Sequence, residues 1–406
     1  MKRKLLIWVQ IIIGATLLGL IVAHVVENLP EKETKPEYVF LFIGDGMGAT
    51  HVAAAESYLS YKAGKLGGEQ LLMTTFPCHG TITTHSANKN VTCSSAAGTA
   101  IACGEKANNG TVGINKDSVE IESIAYVLQK EGYNIGIISS VPVNHATPAA
   151  FYAHNENRGN YYEIASEIPE SGFEFFAGAG FLDYRGKAGD LEPLDAVVES
   201  QGYVVAYGLE DFRSKASGCE RAVFCQASNK EESADQYVSD GKEADDASLA
   251  QMVELGLEFL GSEEPFFIMC EGGTIDWAAH DNRTMSTVTD VIDFDAAIKV
   301  AYDFYLQHPD QTLIVVTADH ETGGLTLGCG SSTIKWEDLE RQWIESGKKD
   351  TMDKDANREF NKSCSIGWTT GSHTGGPVPV YAIGKGAEKF IGRCDNTDIK
   401  GKILGK

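Results

Sequence analysis

Five runs in this 406-residue chain are apolar at almost every position: YVFLFIG (Tyr38 to Gly44), YNIGIISS (Tyr133 to Ser140), PFFIMCEGG (Pro265 to Gly273), TLIVVTADH (Thr312 to His320) and VPVYAIG (Val378 to Gly384). A half-exposed strand alternates apolar and polar residues, so runs without alternation predict strands buried on both faces. Between them the apolar period lengthens to that of a helix. In ADDASLAQMVELGLEFL, Leu249, Met252, Val253, Gly256, Leu257 and Leu260 share one face, with Asp245 and Asp246 expected in the first turn, where the helix dipole favours acids. In IESIAYVLQKEGY, Ile121, Ile124, Ala125 and Leu128 make the stripe and Gly132 ends it. Alternating strands and helices predict an α/β fold with a mostly parallel sheet covered on both faces.

Two stretches break the pattern. Residues from about Gly159 to Glu243, and again from Cys329 to Thr370, are more polar and irregular, and are expected as insertions beside the core of a single domain spanning 38–400. Within the second, WEDLERQW (Trp336 to Trp343) predicts an inserted helix.

The N-terminus carries Lys2, Arg3 and Lys4, then an apolar run from Leu5 to Val26 broken only by Gln10, Thr16 and His24. This reads as an export signal. Residues 1–30 are expected to be either a cleaved signal peptide, with Ala23 as a cleavage position, or an uncleaved membrane anchor, since the run approaches the ~20 apolar residues that span a bilayer. The basic flank places the remainder on the outer side, periplasmic or extracellular. Residues 31–37 (EKETKPE) form a polar tether, and the terminal IKGKILGK holds no hydrophobic tail for a lipid-anchor signal.

Composition narrows the partners. The formal net charge of -23 argues against nucleic acid, because no basic stripe exists to release counterions. An anionic small substrate needs local help, which bound cations supply by reversing the field. Nine cysteines in an exported chain suggest disulfides, with the odd count leaving at least one unpaired. Cys219 and Cys225 are the expected local bridge, whereas Cys78, Cys103 and Cys270 read equally well as small buried apolar residues.

Chemistry collects where the strands end. FIGDGMG puts Asp45 just past the first strand, MCEGGTIDWAAH places Glu271, Asp276 and His280 past another, and VVTADHETGG gives Asp319 and His320 past a third. GSHTGG supplies His373 just before the last strand. In an open α/β sheet, ligands bind outside the carboxyl ends of the strands. Each residue alone has a plainer explanation: Asp in GDG as a turn residue, Asp276 and His280 as an i,i+4 ion pair. Three histidines and four carboxylates at strand ends together point to metals, nitrogen with carboxylate suiting zinc and carboxylate with hydroxyl suiting magnesium. VTCSSAAGTAIACG offers a helix start of small residues whose free N–H groups favour an anion, and Thr92, Cys93, Ser94 and Ser95 stand there as four candidate nucleophiles. HATPAAFYAHNENR adds His145, Thr147 and Arg158, whose guanidinium can grip two phosphate oxygens.

With FIGDGMG, VTCSSAAGTA, HATPAAFYAHNENR, EGGTIDWAAH, VTADHETGG and HTGG in this order from about Tyr38 to Gly384, the chain resembles the alkaline phosphatases. The resemblance implies a three-layer α/β/α core and a phosphomonoesterase with two zinc ions and one magnesium, acting on small phosphate monoesters as a homodimer. Position by position, it implies a first zinc on Asp276, His280 and His373, and a second on Asp45, Asp319, His320 and the nucleophile. It also implies magnesium on Asp45, Thr147 and Glu271, a phosphate clamp at Arg158, and a phosphoserine on Ser94. A zinc-bound serine oxygen attacking phosphorus between two ions agrees with that assignment. Cys93 is the chemical rival, as the stronger free nucleophile, although thiolate on zinc is usually a structural ligand.

Three positions depart from the family pattern. Cys93 stands where many relatives carry an Asp that orients the Arg, Trp277 where others carry Lys or His, and His145 where members carry Asp or His. All three bear on the third metal site, with His145 and Trp277 beside it. A sulfatase is disfavoured because CSSAA lacks the Pro and Arg of that family's C-x-P-x-R motif. A phosphodiesterase of the same superfamily and a non-catalytic secreted metal-binding protein are the other readings.

Overall fold

The computed structural model describes residues 35–229, 245–347 and 352–406. The expected N-terminal export segment lies outside them, and residues Pro36–Leu404 cluster as one unit. The polar tether ends earlier than expected, because Pro36 O accepts from Tyr133 OH at 2.7 Å and Glu37 N donates to Gln311 O at 2.8 Å.

In chain order the strands are β1 (Tyr38–Gly44), β2 (Cys78–Thr83), β3 (Asn134–Ser139), β4 (Phe175–Gly178), β5 (Val204–Tyr207), β6 (Ala222–Cys225), β7 (Phe266–Gly272), β8 (Thr312–Thr317), β9 (Glu321–Thr322), β10 (Leu325–Leu327), β11 (Ile366–Trp368), β12 (His373–Thr374), β13 (Val378–Gly384) and β14 (Gly392–Asp395). Among the described residues, ten form one sheet in the order β14-β2-β13-β8-β1-β7-β3-β4-β6-β5, and all five apolar runs are in it. Its centre is fully buried: all seven residues of β1 and of β7 are inside, as continuous apolar runs require. Phe40 meets Phe266 edge-on at 5.2 Å between ring centres across the β1–β7 pair.

One strand runs backwards. β13 is antiparallel to both β8 and β2, while every other neighbouring pair in the sheet is parallel. A reversed strand begins at the edge where its neighbours end. The residues just before β13 therefore reach the same rim as those just after β1, β7 and β8.

The helices used below are α1 (Ala49–Lys62), α2 (Ser94–Cys103), α3 (Ile124–Lys130), α4 (Ala146–Ala149), α5 (Leu249–Leu260), α6 (Thr274–His280), α7 (Thr284–Tyr305), α8 (Trp336–Glu345) and α9 (Lys354–Ser363). Two starts differ from the expected ones. α5 is capped by Ser248, whose side chain accepts from Gln251 N, so Asp245 and Asp246 precede the helix and accept instead from Glu210 N and Ser228 N. Ser248 offers a short hydroxyl at the cap position itself, which a charge placed further out cannot replace. Likewise α3 starts behind the Ser123 cap, leaving Ile121 outside it.

The polar stretch from Gly159 does not sit beside the core: β4, β6 and β5 extend the sheet by three short parallel strands. Four-residue strands are too brief to show a period. Within the second irregular stretch, WEDLERQW is helical as α8, with Trp336 Nε1 donating to Ser57 Oγ of α1 at 3.0 Å. The Cys219–Cys225 bridge is absent. Cys225 closes the buried strand β6, Cys219 Sγ donates to Lys215 O at 3.3 Å, and all nine cysteines are free thiols.

Candidate active site

The rim where β1, β7 and β8 end and β13 begins collects the chemistry-bearing residues. Asp45 follows β1, Glu271 lies at the end of β7, Asp319 and His320 follow β8, and His373 sits in β12 ahead of β13. The β9–β12 ladder pairs Thr322 with His373. Asp276 and His280 come from consecutive turns of α6 and share its inner face, with His280 Nε2 3.3 Å from Asp276 Oδ2.

Three overlapping groups of ligand atoms result, each group within 4.8 Å: Asp276, His320 and His373; Asp45, Asp319 and His320; Asp45, His145 and Glu271. His280 belongs beside the first group, its Nε2 3.1 Å from His373 Nε2. Thr147 Oγ1 lies 3.5 Å from Asp45 Oδ2, beside the third. His320 Nε2 lies 3.3 Å from both Asp45 Oδ1 and Asp319 Oδ2, so it joins the first two groups.

A chain without cations pays heavily for this arrangement. Burial, and then the charges of Asp319, Asp276 and Glu271, push the Asp45 carboxyl well above its ordinary range. Burial and neighbouring carboxylates raise Asp319 to about 8, and burial raises Glu271 to about 7 against the Ser139 and Thr147 hydrogen bonds. Burial also holds His320 and His373 below the usual imidazole value. Asp276 goes the other way: burial alone would raise it, but the His280 hydrogen bond and three imidazoles hold it below the carboxylate range. Asp45 Oδ1, Asp319 Oδ2 and Glu271 Oε1 are buried without a hydrogen-bond partner. Buried oxygens of this kind require compensation. Mixed imidazole and carboxylate donors aimed at one another meet that need by holding divalent cations, and the residues present fit such ions.

The four candidate nucleophiles separate by their partners. Thr92 Oγ1 donates to Cys93 O at 3.0 Å, and Ser95 Oγ lies 3.2 Å from Cys93 Sγ, which also accepts from Gly110 N at 3.1 Å. Ser94 Oγ alone among them reaches a metal-site residue, 3.2 Å from His320 Nε2. Ser94 is the first residue of α2, where unpaired N–H groups favour an anion. Gly98 lets α2 lie close to α4, since a Cβ there would stand 3.2 Å from Ala150 Cβ and 3.4 Å from Thr147 Cα. That contact sets Ser94 and Thr147 in one site.

Arg158 Nη2 lies 3.2 Å from His145 Nε2. Arginine has no acceptor, so the imidazole must accept. Burial, then the Arg158 charge, lowers His145 to about 3, which keeps it neutral for that role. Trp277 stands edge-on to His145 with ring centres 5.6 Å apart.

Two contributors escaped the reading of the sequence. Ser139 Oγ donates to Glu271 Oε2, and Thr322 Oγ1 donates to Asp276 Oδ1 at 2.5 Å. Thr322 stands two residues beyond His320 in DHETGG, so its nearness to the rim was visible; the direction of its hydroxyl was not.

A family model described as alkaline phosphatase matches residues 37–178 and 231–404. Among curated relatives, Alkaline phosphatase 4 of Bacillus subtilis is 30% identical over 91% of this chain and 88% of its own length. Among solved structures, alkaline phosphatase from the Antarctic bacterium TAB5 is 32% identical, with a TM-score of 0.75 over 92% of this chain and 98% of that one. A histidine-to-aspartate mutant of the TAB5 protein is described with Mg bound in its M3 site. The Thermus thermophilus alkaline phosphatase is 25% identical with a TM-score of 0.76, covering 93% of each chain. Sequence, fold and the clustering of buried carboxylates with imidazoles agree: the chain belongs to the alkaline phosphatase family and is a hydrolase.

Proposed function

We propose that the protein hydrolyses phosphate monoesters to alcohol and inorganic phosphate through a phosphoserine on Ser94, with two zinc ions and one magnesium. The observation that carries this reading is the Ser94 hydroxyl, 3.2 Å from His320 Nε2, beside the unpartnered oxygens of Asp45 and Asp319. Asp276, His280 and His373 would hold one zinc, Asp45, Asp319 and His320 the other, and Asp45, Thr147 and Glu271 the magnesium. Bound zinc lowers the pKa of a coordinated hydroxyl and neutralises the attacking and leaving oxygens.

The chain's own groups do the rest. Ser94 Oγ forms a bond to phosphorus as the bond to the leaving alkoxide breaks, and water then displaces Ser94 to release inorganic phosphate. The first turn of α2 points N–H groups at the phosphoryl oxygens, and the Arg158 guanidinium clamps two of them. His145 holds Arg158 from behind, in place of the acid that the Cys93 position carries in many relatives. With its Nε2 lone pair turned to Arg158, His145 leaves Asp45, Glu271 and Thr147 as the donors for magnesium.

Acid quenching of the metal-loaded protein during monoester turnover, followed by peptide mass mapping, tests the reading. Phosphate is expected on Ser94. Phosphate on another residue would move the nucleophile away from Ser94, steady turnover with none trapped would remove the covalent step, and a diester hydrolysed faster than a monoester would replace the substrate class. Replacing Arg158 by Ala is expected to lower kcat/KM by roughly 100- to 1000-fold, the cost of losing a preorganised donor to transition-state charge. Arg158→Lys should recover part of this, since it keeps the charge but not the two-pronged geometry. Equal steady-state constants for the three proteins would exclude Arg158 as the clamp. The proposal includes export by the N-terminal segment and assembly as a homodimer; among the described residues no helix is long and apolar enough to cross a membrane.

A further inference from the structure

Each of the three imidazoles at the rim turns Nε2 inward and is held from behind at Nδ1. His280 Nδ1 lies 2.9 Å from Gly371 O and His373 Nδ1 lies 2.8 Å from Thr92 O. Both partners are backbone carbonyls, which only accept, so both Nδ1 atoms carry the proton. His320 differs. Its Nδ1 lies 3.2 Å from Thr322 Oγ1, a side-chain hydroxyl with one proton to give.

That proton is already assigned. Thr322 Oγ1 is 2.5 Å from Asp276 Oδ1, a carboxylate oxygen that accepts. The hydroxyl therefore donates to Asp276 and must accept from His320 Nδ1–H. The lone pair of His320 is thereby placed on Nε2, facing Asp45 Oδ1, Asp319 Oδ2 and Ser94 Oγ. Thr322 is itself held firmly: its N–H donates to Gly46 O at 3.0 Å, it pairs with His373 across the β9–β12 ladder, and it is fully buried. Gly46, at φ 71, leaves room for the contact, since a Cβ there would stand 2.8 Å from Thr322 Oγ1 and 2.9 Å from Asp276 Oδ1.

We propose that Thr322 is a positioning residue whose hydroxyl sets the tautomer of His320 and ties the Asp276 group to the Asp45–Asp319 group through the relay His320 Nδ1–H to Thr322 Oγ–H to Asp276. The proposal rests on the reading of these groups as zinc sites. Groups that orient metal ligands typically contribute about 10- to 100-fold in metal affinity.

The test uses the metal-loaded protein and compares Thr322→Val with Thr322→Ser. The Val variant keeps the shape and loses the hydroxyl; it is expected to lose zinc to a chelator at roughly 10- to 100-fold lower competitor concentration. The Ser variant should hold zinc as the parent does. With cadmium in place of zinc, the Val variant should displace the NMR signals of both bound ions, because Thr322 touches a ligand from each group, whereas a merely structural role would leave both where they are. In the parent, the His320 Nδ1 proton should appear as a slowly exchanging, downfield signal, which reads the relay even where Thr322→Val does not fold. Parent-like zinc retention in Thr322→Val, displacement of one cadmium signal only, or a rapidly exchanging Nδ1 proton in the parent would overturn the assignment. A parent that binds no zinc would overturn the functional reading as well, which distinguishes the two failures.

Discussion

Replacing Ser94 by Ala is expected to lower kcat by about 10,000-fold or more, the scale of losing a nucleophile that acts as a unit with its surroundings. The fold should survive the change. Ser94 opens a helix of small buried residues, Ala is the best helix former, and the hydroxyl's partner is His320. Zinc content and thermal midpoint should therefore stay near those of the parent, which separates loss of the nucleophile from loss of the site. Activity within tenfold of the parent would move the role elsewhere. Cys93 is then the next candidate: burial would raise its thiol, but hydrogen bonds from Ser95, Ala96 and Gly110 and the Arg158 charge together hold it below the ordinary value. A Cys93→Ser variant that lost all turnover would make that case.

Stripping the metals is the second large effect, on stability as well as activity. A ligand that binds only the folded state at about a thousand times its Kd stabilises that state by about 4 kcal/mol, so removing tightly held ions should lower the thermal midpoint by several degrees. The pH dependence of the stripped protein is the sharper test. Asp319 is raised to about 8, Glu271 to about 7 and Asp45 well above its ordinary value, so the folded state holds protons that the unfolded chain has released above about pH 5. Where the folded state binds more protons, stability falls as pH rises. The lowered His320 and His373 act in the opposite sense, but only below about pH 6.5, where unfolded imidazoles gain protons. Between about pH 6.5 and 8 the carboxyls act in this destabilising sense together with His280, whose imidazole is raised, despite its burial, by the neighbouring Asp276. The stripped protein should therefore lose thermal stability across that window, and the metal-loaded protein, with its carboxylates ionised against cations, should not. Scanning calorimetry of both forms checks this; a stripped protein as stable at pH 8 as at pH 6.5 would mean that these carboxyls do not share the buried site.

Much of this was legible along the chain, for physical reasons that differ from element to element. The strands at the centre of the sheet are buried on both faces, so β1, β7, β8 and β13 stand out as unbroken apolar runs. β4, β5 and β6 are four residues each, too short for any period, and the stretch holding them reads as irregular although it extends the sheet. Cys219 and Cys225 are near in sequence, but Cys225 is committed to the buried strand β6, so nearness did not make a bridge. Helix starts shifted from the expected positions because the side chains of Ser123 and Ser248 cap them, leaving Ile121 and the pair Asp245 and Asp246 outside.

The sequence by itself determined which residues could carry chemistry. Metal ligation and phosphoryl transfer need particular side chains, and Asp45, Ser94, Thr147, Arg158, Glu271, Asp276, His280, Asp319, His320 and His373 are marked by type and by position at strand and helix ends. Only the tertiary structure decided how they meet. The reversal of β13 brings His373 to the rim that the other strands leave, Gly98 lets the helix that begins at Ser94 pack closely on the one that carries Thr147, and the Thr322 hydroxyl lies between Asp276 and His320. The physical reason is range: helix and strand periods arise between neighbours along the chain, whereas strand direction and the aim of a hydroxyl depend on partners distant in sequence.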